Sequence, residues 1–243
     1  MKLIKLDAID STNDFLKTYS QNHVLENYTV VTAQNQFKGK GQMGASWQTE
    51  VGKNLIISIL IKDLFQDVNQ IFSLNVAVAI AVVNALKKNE IPNLTIKWAN
   101  DILSENKKIA GILIENIIKS DGKIESIVGI GLNVNQTNFS HLPQASSLIN
   151  VTGKNYNIDS ILIDIVKEIQ SNCQLIVAKQ IDLLWKTYHE LLFKINTPMV
   201  FENIQQGRFM GIIQRVNQIG QLEVLLEDDS VKVYGIKEIS MLY

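Results

Sequence analysis

Residues 97–115 constrain this chain more than any other stretch of its sequence. The stretch reads Lys-Trp-Ala-Asn-Asp at positions 97–101 and, after a short polar interval, Lys-Lys-Ile-Ala-Gly-Ile-Leu-Ile-Glu at positions 107–115. It therefore places Lys97, Lys108, the Asn100 amide, the Asp101 carboxylate and the Gly111 backbone along one predicted strand–loop–strand segment. Cations and bare backbone N–H groups are what proteins use to hold a phosphorylated ligand. A purely structural hairpin has no need of them, so the segment predicts a ligand site over an apolar floor.

The overall composition limits the partners of this chain. It has 243 residues, of which 46% are hydrophobic, enough for one large domain or for a main domain with a small appendage. Its formal net charge of -1 gives no electrostatic footprint for nucleic acid. Arginine occurs only at Arg208 and Arg215. An anion site upstream of them must therefore use lysine, backbone N–H groups or a metal ion.

Other features argue against a membrane, a disulfide or a structural metal site. The first residues lack the apolar run of a signal peptide, and the longest apolar run, 71–86, is shorter than the ~20 residues that span a bilayer. We therefore expect a buried helix and no membrane partner. Cys173 is the only cysteine, which excludes an intrachain disulfide and fits a reducing cytoplasm. The histidines are scattered without ligand spacing, so no metal site is predicted.

Hydrophobic periodicity predicts mixed strands and helices as far as residue 195 and strands alone beyond it. Strands are predicted at 2–9, 28–34, 54–61, 94–98, 107–119 and 123–133, and helices at 11–21, 68–88, 159–177 and on to 192. Ser11 or Thr12 is expected to cap the first helix and Asp67 the second. After Pro198, short strands are predicted at 199–201, 207–216, 222–226, 231–234 and 239–242, as in a small β-barrel.

The segment 36–47 contains Gly39, Gly41 and Gly44 in a formal G-x-G-x-x-G spacing. A dinucleotide-binding fingerprint must open a helix directly after these glycines, whereas here the chain leads into a strand. The dinucleotide interpretation therefore fails, and no phosphate-loop motif is present. What remains is a flexible, cationic loop whose backbone N–H groups can approach an anion closely, or a mobile surface loop.

Glycines also interrupt the predicted hairpin. Gly129 and Gly131 lie near the end of its second strand, and Gly111 lies on the first. A glycine inside a strand marks a bulge or a close approach by another group. Each glycine alone fits either explanation, but the three together favour a ligand lying across the sheet.

Five motifs together carry a family resemblance. They are Asp10-Ser11-Thr12-Asn13, the glycine loop at 36–47, the run at 97–101, Lys108-Ile109-Ala110-Gly111-Ile112 and Gly129-x-Gly131-x-Asn133. Their order and spacing resemble those of biotin–protein ligases over essentially the whole chain. The resemblance implies an α+β fold: a mixed central sheet flanked by helices, similar to class II synthetases, with a C-terminal SH3-like β-barrel. It divides the chain into a biotin- and ATP-binding catalytic domain, 1–195, and an SH3-like domain, 196–243.

The family's reaction has two steps. Biotin and ATP give biotinyl-5′-AMP and pyrophosphate, and a lysine of a biotin carboxyl carrier protein domain then attacks the adenylate. The resemblance thus implies a cytoplasmic ligase that uses ATP with Mg²⁺ and holds no prosthetic group tightly. It leaves open whether the protein is a monomer or a homodimer, and which biotin-dependent carboxylase it serves.

The resemblance also assigns roles to individual residues. Lys108 and Lys40 would stabilise the charge of the first step, and Asp101 would orient or deprotonate the acceptor lysine or lie close to Mg²⁺. The residues implied in binding biotin are Ser11, Thr12, Asn13, Gln36, Gly39, Lys40, Gly41, Lys108, Gly111, Gly129 and Gly131. The residues implied in binding the nucleotide are Lys40, Gln42, Met43, Trp47, Asn100, Lys108 and Asn133.

The chain departs from the family pattern in several places. Lys40, Gln42 and Ala45 occupy positions that are usually arginine, which removes the bidentate guanidinium and, at the last two positions, the charge. Ala99 stands where proline is usual. The chain begins at the catalytic domain, so the resemblance is to the ligase-only type without a DNA-binding domain.

Two other functions fit part of this pattern. A lipoate or octanoate ligase or transferase of the same fold is the nearest enzymatic alternative, but those relatives lack this glycine loop. A non-enzymatic biotin sensor would bind biotin without ATP-dependent release of pyrophosphate.

Overall fold

The structure of the protein is a computed structural model that describes residues 2–65, 67–203, 205 and 207–243. Its central sheet has seven strands. The strands of the central sheet are β1 (Leu3–Ile9), β2 (Val30–Gln36), β3 (Leu55–Lys62), β4 (Leu94–Lys97), β5 (Asp101–Ser104), β6 (Lys107–Ile118) and β7 (Ile124–Leu132). Their spatial order is β1-β2-β3-β7-β6-β5-β4, with β1 parallel to β2 and every other pair antiparallel. The predicted mixed sheet is confirmed.

Helices cover both faces of this sheet. They are α1 (Thr12–Asn22), α2 (Phe72–Lys88), α3 (Leu148–Thr152), α4 (Ile158–Val177) and α5 (Ile181–Glu190). The main core lies between the sheet and α2, α4 and α5, and α2 is apolar nearly all round because it is buried there. On the other face α1 buries Leu16 against Leu60 and Ile127 in a smaller core. In the described part of the chain, no helix is both long and apolar enough to cross a membrane.

Three local predictions differ from the structure. The helix predicted to start at residue 68 begins at Phe72, after a separate 3₁₀ turn. Asp67 caps that turn instead, since its Oδ1 accepts from the N–H of Asn69 at 2.9 Å. The polar interval after Asp101 forms β5 and a tight turn through Glu105 and Asn106, both at positive φ. Such a turn is usually marked by Asn-Gly, which is missing here. The third difference is helix α3, which was not predicted, because its five residues are too few to show a helical period.

The C-terminal sheet has five antiparallel strands. They are β8 (Pro198–Asn203), β9 (Gly207–Val216), β10 (Leu222–Leu226), β11 (Val231–Tyr234) and β12 (Ile239–Leu242), and all five were predicted. Their order is β11-β10-β9-β8-β12, so β11 and β12 form two open edges among the described strands. The sheet is consistent with the predicted SH3-like domain, although its described strands do not close into a barrel. Its inner residues, such as Phe201 and Ile213, continue the main core.

The turn at Gly220 joins the two sheets. The Trp98 indole N–H donates to the Gly220 carbonyl at 2.9 Å, and Gly220 has a φ of 88°. A Cβ at this position would overlap the Phe72 ring.

Gly220→Ala therefore combines backbone strain with overpacking, and we expect a loss of about 2–4 kcal/mol in the free energy of unfolding. Gly122→Ala is the matched control, since Gly122 has a φ of 81° with open space around it. Denaturant unfolding that shows equal losses would contradict this account.

Cys173 is a buried core residue of α4 with 1% of its surface exposed. Burial raises the pKa of this thiol to about 11. The thiolate is the reactive form, so we expect no alkylation by iodoacetamide at pH 8 in the folded protein. Labelling that tracks denaturant unfolding would support this, and rapid labelling without denaturant would contradict it.

Candidate active site

A cavity of about 530 Å³ lies over the α1 face of the central sheet, next to the C-terminal sheet. Several separate parts of the chain line it: the start of α1, the glycine loop, the 97–101 segment, β6, β7 and the segment before and along β12. Of the residues predicted for the site, those that line the cavity are Ser11, Thr12, Asn13, Gln36, Lys40, Gly41, Gln42, Trp47, Asn100, Asp101, Lys108, Gly111, Gly129 and Gly131.

A buried polar network closes one part of the cavity. The Gln36 Oε1 accepts from both the N–H and the hydroxyl of Thr12, at 2.7 and 3.0 Å. The Ser58 hydroxyl lies 2.8 Å from the Thr12 hydroxyl and 2.6 Å from Asn13 Oδ1. The Asn13 amide in turn donates to Glu115 at 2.8 Å. This network fixes donors and acceptors at the start of α1, where Ser11 caps the helix through the N–H of Asp14.

Glycines form the floor of the cavity. Gly111 and Gly131 are paired across β6 and β7, and the Trp47 ring lies directly on both. A Cβ at Gly131 would overlap the indole, and a Cβ at Gly129 would overlap the Asn13 carboxamide. Both strands therefore need glycine because another group approaches the backbone closely.

Four of the described lysines line the same cavity: Lys40, Lys97, Lys108 and Lys237. Lys108 forms an ion pair with Asp101 at 2.6 Å and lies 5.6 Å from the centre of the Trp47 ring. Lys40 pairs with Asp14 at 2.7 Å, and this hydrogen bond raises the pKa of Lys40. Lys97 lies 4.7 Å above the Tyr243 ring, and burial lowers the pKa of Lys97. The cavity therefore carries the cations that an anionic ligand requires.

The glycine loop is folded back on itself. Trp47 N–H donates to Gly39 O and Gly41 N–H donates to Ala45 O, at 2.8 and 2.7 Å. Lys40 and Ser46 form a β-bridge, and a 3₁₀ turn (Gln42–Gly44) makes the tip. No helix opens after the glycines, as expected. The Gly41 N–H is bonded within the loop and is therefore not available to an anion. The positive charge of the loop comes from its lysine side chains.

Some predicted site residues lie elsewhere. Gly39 and Met43 belong to the loop but do not line the cavity. Asn133 is buried and does not line the cavity, and its amide donates to Ser146 O at 3.0 Å. The Asn100 side chain does reach the cavity, yet its amide donates to Ile112 O at 2.6 Å, which fixes the 97–101 turn against β6.

The structure also adds residues that the sequence analysis missed. Ser58 is a fully buried hydroxyl in an otherwise apolar strand, and that break in the pattern was a usable signal. Asp14 lies in the first turn of α1 and pairs with Lys40. The C-terminal residues of the lining had no signal at all, because nothing in a local pattern says which surface a second sheet will cover. They are Ile236, Lys237, Ile239, Ser240 and Met241.

The family model described as the Biotin/lipoate A/B protein ligase family matches residues 6–135. The chain belongs to this family. The matched range contains α1, the glycine loop, the 97–101 segment and both glycine strands, so it includes most of the cavity described above.

Individual relatives match over more of the chain. The bifunctional ligase/repressor BirA of Bacillus spizizenii is 27% identical over 240 residues, covering 96% of this chain and 72% of the relative. BirA of Escherichia coli is 25% identical over 228 residues, covering 93% and 69%. The structure of biotin protein ligase from Aquifex aeolicus in complex with biotin and ATP superposes with a TM-score of 0.81 at 26% identity, covering 99% of this chain and 98% of that one. The likeness of that structure extends to the C-terminal sheet.

Proposed function

We propose that this protein activates biotin with ATP to biotinyl-5′-AMP and transfers the biotin to a lysine of a biotin carboxyl carrier protein domain. One observation carries the proposal. A single cavity brings together a buried polar network, a glycine floor and the lysines Lys40 and Lys108. Relatives named biotin ligases, and the Aquifex complex with biotin and ATP, support the same activity.

In this proposal the cavity separates two tasks. The network of Thr12, Asn13 and Ser58 offers fixed donors and acceptors to the ureido group of biotin. Lys108 and Lys40 offset the repulsion between the biotin carboxylate and the α-phosphate of ATP. Charge develops on that phosphate in the transition state, and placed cations stabilise it most strongly there.

Mg²⁺ belongs to the proposal as the ion that accompanies ATP. Asp101 is the carboxylate among the described residues of the lining, and Mg²⁺ is commonly bound by one or two carboxylates together with substrate phosphates. Asp101 therefore fits this ion, which would neutralise phosphate charge. No cluster of three or more His, Cys, Asp or Glu suited to a resident metal occurs within the described ranges.

The second step requires the acceptor amine in its neutral form. We propose that Asp101 serves this step as orienter or base, since its side chain faces both the cavity and Lys108. The alternative role of Asp101, close to Mg²⁺, predicts a different defect. Asp101→Asn would then impair pyrophosphate release as well as transfer.

We also propose the division of labour between the two parts of the chain. Residues 1–195 would form the biotin- and ATP-binding domain and residues 196–243 the SH3-like domain. The acceptor would be the carrier domain of a biotin-dependent carboxylase in the cytoplasm, in keeping with the lone, buried cysteine. The net charge of -1 supports no nucleic-acid partner.

A lipoate ligase of the same family is the second candidate. The polar network at the start of α1 favours biotin, because a ureido group can exchange hydrogen bonds with Thr12 and Asn13, whereas the dithiolane ring of lipoate offers no such donors or acceptors.

The test uses purified protein, radiolabelled biotin or lipoate, ATP and a carrier domain. We expect label on the carrier with biotin only, and none on a carrier whose acceptor lysine is replaced by arginine. Equal labelling with lipoate would move the proposal to the second candidate. Tight biotin binding without any transfer would favour a sensor.

A further inference from the structure

A hydrogen bond ties the tip of the glycine loop to the C-terminal part of the chain. The Lys237 ammonium donates to the Met43 carbonyl at 2.6 Å, across 194 positions of sequence. Lys237 lines the cavity, and Met43 lies between the loop residues Gln42 and Gly44. The bond therefore joins a residue of the cavity lining to the tip of the loop beside the cavity that we propose binds the adenylate.

Both partners of this bond have unusual backbones. Lys237 has a φ of 66° and Met43 a φ of 53°, in the left-handed region that favours glycine. Neither residue has a glycine's freedom there, so each conformation carries a cost of order 1 kcal/mol. Strained positions of this kind cluster at ligand clamps. Here two such positions, Lys237 and Met43, are joined by a hydrogen bond.

The base of the loop is held separately. Lys38 pairs with Asp10 and Lys40 pairs with Asp14, each at 2.7 Å, on the side of α1. Lys237, in the segment between β11 and β12, holds the tip. The loop is thus attached to the start of α1 at its base and to the C-terminal part of the chain at its tip.

We propose that Lys237 is a positioning residue for the ATP-dependent step: it holds the loop tip over the cavity and slows escape of the adenylate. The inference rests on the proposed function for its consequence, but the contact itself can be tested without substrate. It also explains how a loop with Gln42 and Ala45 at the family's arginine positions can stay closed.

The first measurement is the rate of trypsin cleavage after Lys38 and Lys40, mapped by mass spectrometry. In Lys237→Met we expect cleavage about threefold to tenfold faster than in the wild type, the range for one charge-assisted hydrogen bond at an exposed position. Lys237→Arg should restore the wild-type rate because a guanidinium also donates. Lys232→Met removes a lysine of the same sheet, one that lies over the Tyr234 ring, and should leave the rate unchanged.

The second measurement is the release rate of radiolabelled biotinyl-AMP from the same variants. We expect faster release, by a similar factor, in Lys237→Met and in Lys237→Gly. The glycine variant also relaxes the strained backbone at position 237, so its melting temperature should equal or exceed that of the wild type. Faster release without a loss of stability would show that Lys237 acts by holding the loop tip and not by stabilising the fold. Unchanged cleavage and release in both variants would overturn the inference. Failure of the wild type to form any adenylate would instead overturn the proposed function.

Discussion

Replacing Lys108 by alanine is expected to slow adenylate formation by about 2–4 kcal/mol of transition-state stabilisation, the amount lost when a placed donor to a developing anion is removed. Lys108 lies on the cavity floor beside Gly111, so its charge is available where the carboxylate and the α-phosphate must meet. Biotin-dependent release of pyrophosphate measures the step. The effect should fall mainly on kcat, because the charge it stabilises develops in the transition state.

The matched control is Lys107→Ala. Lys107 precedes Lys108 on β6, is exposed and does not line the cavity. We expect nearly wild-type rates for this variant, whereas Lys108→Arg should retain part of the activity. Near-normal pyrophosphate release by Lys108→Ala would remove this residue from the mechanism.

Replacing Gly129 by alanine is expected to raise the Kd for biotin about tenfold to a hundredfold. The new Cβ would overlap the Asn13 carboxamide, which must then leave its hydrogen bonds to Ser58 and Glu115. Overpacking of this kind also costs about 1–3 kcal/mol of stability. Isothermal titration with biotin and denaturant unfolding measure the two effects separately.

Asn13→Ala in the Gly129→Ala background tests the cause. Removing the carboxamide relieves the overlap, so the double variant should regain stability relative to Gly129→Ala but should not regain biotin affinity, because the network stays broken. Gly122→Ala, in the turn of the same hairpin, should bind biotin normally. A Gly129→Ala protein with wild-type affinity would show that the network does not contact the ligand.

The fold was largely predictable because its longer elements have strong patterns. The β-branched run of β3 and the long apolar run of α2 identify a strand and a helix from the sequence alone. The failures have two causes: short elements carry too little pattern, and pairing between distant strands has no local signal. Strand β5 spans four residues before a turn without Asn-Gly, and the open edges of the C-terminal sheet depend on pairing between distant strands.

The site was predictable where residues repeat a family spacing and not where tertiary packing decides. Lys40, Lys108 and the floor glycines line one cavity, as their motifs suggested. Asn133 lies in a matching motif but is buried and does not line the cavity. The role of Lys237 could not be predicted from the residues next to it in sequence, because its partner Met43 is 194 positions away in the glycine loop.

Exchange of radiolabelled pyrophosphate into ATP tests the central claim most directly, since it isolates the joining of the two anions from transfer to a carrier. The account predicts exchange that requires biotin, needs no carrier domain and is not supported by lipoate. Exchange that proceeds equally without biotin, or is absent with biotin in the wild-type protein, would contradict it.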